Sequence, residues 1–190
     1  ADTMIGGGDS DTFIVDDDGD VVEDEALGGI ADRVNARTDF RLPANVEQLT
    51  LQGTAIVGAG TARDNTLRGN ALNNSLFGGA GNDIVLGGSG DDRIVAGAGF
   101  DTVDGERGDD TIEGGGDIDT LEGGAGNDRV SGDADNDTIY GDAADDDPLA
   151  PAGGDDALFG GANFDDLFGG FGHDTLFGGA SIDVLYGGAG

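Results

Sequence analysis

The 190-residue sequence has no cysteine, no tryptophan, no lysine and a single histidine. Without cysteine there are no disulfides, no thiolate metal sites and no Cys nucleophile. One histidine cannot build a two-His metal site. No apolar run approaches the roughly 18 residues that a membrane span needs. The eight basic residues, all Arg, face 40 acidic ones, for a formal charge of -32 at pH 7. Such a chain does not bind nucleic acid or anionic lipid through its own field. No GxSxG elbow and no P-loop occurs, so no catalytic constellation is present and no enzymatic activity is expected. Aromatic residues make up only 6%. Glycine is abundant, with 40 residues, and by composition alone the chain reads as disordered.

Periodicity overturns that reading. From Gly78 to Tyr140 the chain divides into seven consecutive nine-residue units: GGAGNDIVL, GGSGDDRIV, AGAGFDTVD, GERGDDTIE, GGGDIDTLE, GGAGNDRVS and GDADNDTIY. Three more run from Gly160 to Tyr186, GGANFDDLF, GGFGHDTLF and GGASIDVLY, and another, GGGDSDTFI, begins at Gly6. Position six is Asp in all of them: Asp11, Asp83, Asp92, Asp101, Asp110, Asp119, Asp128, Asp137, Asp165, Asp174 and Asp183. Position eight is always apolar, as at Phe13, Val85, Ile94, Val103, Ile112, Leu121, Val130, Ile139, Leu167, Leu176 and Leu185.

Each position has a physical role. Glycines at positions one, two and four suit the backbone angles of a tight turn and leave carbonyls uncovered. Positions seven to nine form a very short strand with the middle side chain pointing inward. Two units carry the chain out and back, so stacked coils make two parallel sheets with the position-eight row as a thin core. One aliphatic side chain per nine ordered residues is a weak core, and stacking sets like charges in columns. A cation between the turns is required. Oxygen ligands without N or S select a hard ion, and a flexible site with several oxygens suits Ca²⁺ better than Mg²⁺. A merely solvated acidic face does not explain why position six is never Glu.

The repeats closely resemble the GGxGxDxUx nonapeptides of RTX (repeats-in-toxin) proteins; GGAGNDIVL, GGSGDDRIV, GGAGNDRVS and GGFGHDTLF match completely. The resemblance implies an all-β, right-handed parallel β-roll, a β-solenoid. It also implies Ca²⁺, about ten ions by the number of units, held between adjacent turns by position-six Asp and by backbone carbonyls. The carbonyl candidates are Gly78, Gly81, Gly87, Gly90, Gly97, Gly99, Gly108, Gly123, Gly126, Gly169 and Gly172. RTX proteins are typically exported by type I secretion, which places the chain outside, or on the surface of, a Gram-negative bacterium.

Departures from the pattern divide the chain. Residues 1–14 read as a short roll segment. Residues 15–59 read as a wider-coil insert, with the phrases VDxxGDVV and LPANVExLTLxG. In it Val34, Ala36, Thr38, Phe40 and Leu42 alternate with Arg33, Asn35, Arg37, Asp39 and Arg41, predicting one amphipathic strand with three Arg on one face. Those arginines serve as counterions or, as a second reading, as a recognition face for an acidic partner. Leu49 and Leu51 predict a second strand after the Pro43-Ala44-Asn45 turn. Residues 60–77 hold two units with Asn65 and Asn74 at position six, so roll structure is expected there with weak or absent Ca²⁺. Residues 78–140 are the seven calcium units. Residues 141–159 break the period: nineteen residues in place of eighteen, with Pro148, Pro151 and Asp145–Asp147, read as an enlarged turn or a binding loop. The frame returns at Asp156 and Leu158 and continues through 160–190. Asp9, Asp117 and Asp135 replace the fourth glycine, which puts the turn geometry in question there.

Two functional readings follow. The first is a Ca²⁺-dependent extracellular structural module of a surface protein, adhesin or filament. The second is the calcium-driven folding and secretion domain of an RTX enzyme or toxin. Gly187–Gly190 followed by Ala1–Ile5 would read GGAGADTMI, a complete nonapeptide with Asp2 at position six. That phase match predicts head-to-tail self-association, or a longer roll containing this stretch.

Overall fold

Wherever an acidic or amide residue stands two places before an inward aliphatic one, the chain enters a strand. The computed structural model describes residues 1–24, 31–142 and 153–190. All 20 of its elements are strands, and every pairing between them is parallel.

The strands are β1 (Thr3–Ile5), β2 (Thr12–Val15), β3 (Val21–Glu23), β4 (Arg33–Ala36), β5 (Phe40–Arg41), β6 (Gln48–Leu51), β7 (Val57–Ala59), β8 (Thr66–Arg68), β9 (Ser75–Ala80) and β10 (Ile84–Ser89). They continue as β11 (Arg93–Ala98), β12 (Thr102–Arg107), β13 (Thr111–Gly116), β14 (Thr120–Glu122), β15 (Arg129–Asp133), β16 (Thr138–Tyr140), β17 (Ala157–Gly161), β18 (Asp166–Phe168), β19 (Thr175–Gly179) and β20 (Val184–Tyr186). The even strands from β2 to β20, β3 apart, form a ten-stranded sheet, the odd strands from β5 to β19 an eight-stranded one, and β1 pairs only with β3. Successive strands from β4 onward alternate between the two sheets, which is the expected β-solenoid.

The core is the row of position-eight side chains between the sheets. Leu67, Leu76, Val85, Ile94, Val103, Ile112, Leu121, Val130, Ile139, Leu158 and Leu167 are all at most 1% exposed, so these strands use their period-two alternation fully, whereas Leu176 in β19 is half-buried and Leu185 in β20 is exposed. Phe13, Val22, Val34, Leu49 and Leu51 extend this core through the head segment, with Phe40 packed against it.

Three expectations are corrected. Of the strands in the seven-unit block, β14 and β16 have the three residues expected, but β10 to β13 are six residues long, because there the ladder continues past position nine into the glycines; Gly88 pairs with Glu106 and Ser89 with Arg107. Arg33–Leu42 is not one strand. β4 and β5 lie in different sheets, and the chain turns between them, where the Arg37 amide donates to Val15 O and Asp39 Oδ1 accepts the amides of Ile56 and Val57. The inside-out alternation survives this corner, which is why the sequence looks continuous. Arg33 and Arg41 therefore share no face; Arg33 bonds Gln48 and Arg37 lies 3.9 Å from Asp16.

The segment 15–59 is not uniformly wider. The step from Asp11 to Asp32 takes 21 residues and that from Asp32 to Glu47 takes 15, so a long coil is followed by a short one. Tyr140 is followed by a single enlarged unit. Asp128 meets Asp156 and Asp137 meets Asp165, both 28 residues apart, ten more than the 18 of the regular coils. Pro148, Pro151 and Asp145–Asp147 lie outside the described residues.

Candidate calcium sites

The position-six residue sits at the entrance to each strand, where the chain turns inward. In the Asp units its side chain is buried: Asp83, Asp92, Asp101, Asp110, Asp119, Asp128, Asp137, Asp156 and Asp165 are at most 3% exposed. One carboxylate oxygen, Oδ1, accepts the amide N–H of the equivalent residue one coil earlier. Asp83 N–H donates to Asp101 Oδ1 at 2.7 Å, Asp92 to Asp110 at 2.7 Å, Asp101 to Asp119 at 2.9 Å and Asp110 to Asp128 at 2.8 Å. The pattern continues to Asp174 and Asp183. These bonds tie each coil to the next and fix the carboxylate plane.

The other oxygen is left over. Oδ2 of Asp83, Asp92, Asp101, Asp110, Asp119, Asp128, Asp137, Asp156, Asp165 and Asp174 is buried and accepts no hydrogen bond. Buried polar atoms are almost always partnered, so ten such oxygens in register call for a ligand that is not a protein N–H.

The space beside nine of the ten Oδ2 atoms is defined by the position-one glycine, whereas in the Asp101 unit Ala96 stands at that place. A Cβ on Gly78 would lie 2.5 Å from Asp83 Oδ2 and 2.5 Å from Ala96 O; on Gly87, 2.6 Å from Asp92 Oδ2 and 2.5 Å from Gly105 O. On Gly105 it would lie 2.4 Å from Asp110 Oδ2 and 2.3 Å from Gly123 O, and on Gly169, 2.5 Å from Asp174 Oδ2 and 2.7 Å from Gly187 O. Glycine keeps open a cradle in which a carboxylate oxygen and a carbonyl oxygen from the next coil converge. No proton donor stands between them, and a hard cation fits that donor set. Among the described residues no three His, Cys, Asp or Glu side chains form a metal cage, so backbone oxygens complete these sites.

Electrostatics agree with this. Burial pushes the carboxyls of Asp83, Asp110, Asp119 and Asp128 up to about 7, Asp92 and Asp137 to about 6 and Asp156 to about 8. The N–H bond at Oδ1 opposes the shift, and neighbouring carboxylates add to it. Asp101 and Asp165 are raised for the same first reason. A cation in the cradle removes both the desolvation and the repulsion.

The glycine candidates fall into two groups. The carbonyls of Gly123 and Gly169 face Asp cradles, opposite the Cβ positions of Gly105 and Gly141, whereas those of Gly78 and Gly87 face the Asn units, opposite Gly60 beside Asn65 and Gly69 beside Asn74, and so are not placed at an Asp cradle. Gly81, Gly90, Gly99, Gly108, Gly126 and Gly172, at position four, and Gly97, at position two, take left-handed φ angles between 97° and 137°. At position four the Cβ direction is blocked by backbone of the preceding coil, as at Gly99, where Gly81 O lies 2.2 Å away. Asp9, Asp117 and Asp135 keep the left-handed conformation, with φ of 133°, 74° and 74°, so the turn survives the loss of glycine. Of the outlying aspartates, Asp11, Asp174 and Asp183 are half-buried, and Asp2 is exposed with its amide on Asp20 Oδ1 at 2.8 Å.

The Asn units are built differently. Asn65 Oδ1 accepts the Thr61 amide at 2.7 Å and Asn74 Oδ1 the Asn70 amide at 2.8 Å, both from position two of their own units. Their Nδ2 groups point at carbonyls of the previous coil, Val46 O and Ala55 O. The oxygen that is orphaned in the Asp units is satisfied here without a cation.

Sequence reasoning missed three members of these columns. Asp20, Asp32 and Glu47 accept the amides of Asp2, Asp11 and Asp32. The signal was present: each stands two residues before a buried Val22, Val34 or Leu49.

Stacked parallel coils with regular oxygen cradles define a calcium-binding β-solenoid. The family of the RTX calcium-binding nonapeptide repeat (four copies) matches residues 59–94, 86–121, 113–147, 152–185 and 168–190. These matches cover more than half of the chain, which belongs to this family. No curated protein matches it significantly.

Proposed function

We propose that this chain is a Ca²⁺-dependent extracellular structural module of a larger surface protein or adhesin, with no catalytic role of its own. The observation that carries the reading is the row of ten buried, unpartnered Asp Oδ2 atoms. About ten ions of charge +2 would cancel about 20 of the 32 net negative charges. Extracellular sites of this class bind with Kd on the order of 10⁻⁴–10⁻³ M. They fill at extracellular calcium and stay empty in the cytosol, so the chain remains unfolded until export. The reading extends to head-to-tail self-association in Ca²⁺. Far-UV circular dichroism in EGTA and in millimolar Ca²⁺ tests the proposal. A β signal that appears only with Ca²⁺ is expected, and an unchanged β signal in EGTA overturns it.

A further inference from the structure

The head of the molecule holds a second acidic corner, outside the residues matched by the repeat family. Asp11 precedes β2, Asp24 follows β3 and Asp32 precedes β4. Asp32 is 0% exposed. Its Oδ1 accepts the Asp11 amide at 2.7 Å, and its own amide donates to Glu47 Oε2 at 3.0 Å. Asp32 Oδ2 and Asp24 Oδ2 are both buried and accept no hydrogen bond, although the two carboxylates lie against each other. The corner also has a glycine cradle. A Cβ on Gly6 would lie 2.7 Å from Asp11 Oδ2 and 2.7 Å from Asp24 Oδ1.

This corner is not a nonapeptide site. In the repeats one carboxylate meets a carbonyl of the next coil; here carboxylates beside three strands converge. Two buried carboxylates side by side repel unless a proton or a metal ion sits with them. Burial, then the Asp24 and Glu47 charges, raises the Asp32 carboxyl, so the unrelieved pair is costly. An all-oxygen donor set of irregular shape favours Ca²⁺.

We propose that Asp24 and Asp32, completed by backbone oxygens, hold one Ca²⁺ that clamps the β1–β3 pair to the roll. The two-stranded sheet of β1 and β3 shares no ladder with the ten- and eight-stranded sheets. Met4 and Val22 pack against the core, Asn45 Nδ2 donates to Asp24 O at 2.9 Å, and this corner adds a further link. The clamp does not depend on the repeat sites and goes beyond the function proposed above.

Native mass spectrometry of the full chain in excess Ca²⁺ tests the clamp. Asp24→Asn and Asp32→Asn are each expected to bind one ion fewer than the wild type while the repeat ions remain. Asp110→Asn, in the repeats, loses its ion with the head ion retained. Unchanged stoichiometry in both head variants overturns the proposal. A variant that fails to fold is replaced by a measurement on the unmodified protein, the ¹³C carboxylate shifts of Asp24 and Asp32. If Ca²⁺ moves both shifts to saturation, the clamp stands. If protons move them and Ca²⁺ does not, the pair merely shares a proton and the clamp is refuted. Loss of all bound ions from the wild type would refute the family-wide calcium reading instead, a distinct outcome.

Discussion

Replacing Gly105 with Ala tests the cradle without removing any charge or hydrogen bond. Gly105 is at position one of its unit, and its φ is not left-handed, so the backbone tolerates a side chain. Space is the only obstacle. The added Cβ would lie 2.3 Å from Gly123 O and 2.4 Å from Asp110 Oδ2, where the ion is assigned. A contact that short forces the coils apart, and overpacking of this kind costs about 1–3 kcal/mol. Losing an ion of Kd on the order of 10⁻⁴ M at tenfold excess Ca²⁺ costs roughly 1.4 kcal/mol more. A total of about 2–4 kcal/mol is expected in urea unfolding at millimolar Ca²⁺, with one ion fewer by isothermal titration calorimetry. Gly116→Ala is the control: nothing lies within 4 Å of its Cβ position and its φ is not left-handed, so its effect should stay within about 0.5 kcal/mol. In EGTA the two variants and the parent should not differ. If Gly105→Ala binds Ca²⁺ with the parent's stoichiometry and midpoint, the ion is not beside the position-one glycine and the reasoning fails.

Other outcomes follow from the same geometry. Asp110→Ala removes a cradle oxygen and leaves the buried Asp92 amide unpaired. It should lower Ca²⁺ stoichiometry and cost about 1–3 kcal/mol from the amide alone, whereas Asn65→Ala should destabilise without changing stoichiometry; equal ion loss in both refutes the division into calcium and amide coils. Unfolded Asp titrates near 3.9 and the folded, calcium-free Asp110, Asp119 and Asp128 at about 7. The folded state therefore holds more protons between these values, and its stability falls as pH rises through them. In EGTA the β signal should grow on acidification from about pH 8 toward about pH 5; a signal that shrinks contradicts the burial argument. Ile112→Ala, at 1% exposure in the core row, should cost about 2–5 kcal/mol in Ca²⁺ by chemical denaturation, and a cost below about 1 kcal/mol would show that the row is not packed.

Periodicity carried most of the fold because each role in the unit falls to one residue type. Asp at position six, an aliphatic at eight and glycine at one need no distant information to be read, and all three stand where the repeat puts them. The distinction between Asn65 or Asn74 and the Asp units was legible too, since an amide brings its own donor and a carboxylate does not. What stayed hidden depends on the count of residues between strands. Val34 to Leu42 alternates inward and outward through a corner, and alternation cannot tell a strand from a bend that preserves its phase. Asp32 and Glu47 are hard to see because the coils that reach them have 21 and 15 residues, so a fixed nine-residue frame steps past them; Asp20, 18 residues after Asp2, lies in that frame.

The central claim is that Ca²⁺ occupies the cradles between position-one glycines and position-six aspartates. Its most direct test is an anomalous difference map from a crystal of the full chain grown in Ca²⁺. The account predicts a peak beside each of the nine orphaned Oδ2 atoms that face a position-one glycine, from Asp83 to Asp174, none beside Asp101, whose unit has Ala96 in that place, and none beside Asn65 or Asn74. Peaks confined to the molecular surface, or equal peaks in the Asn coils, would contradict it.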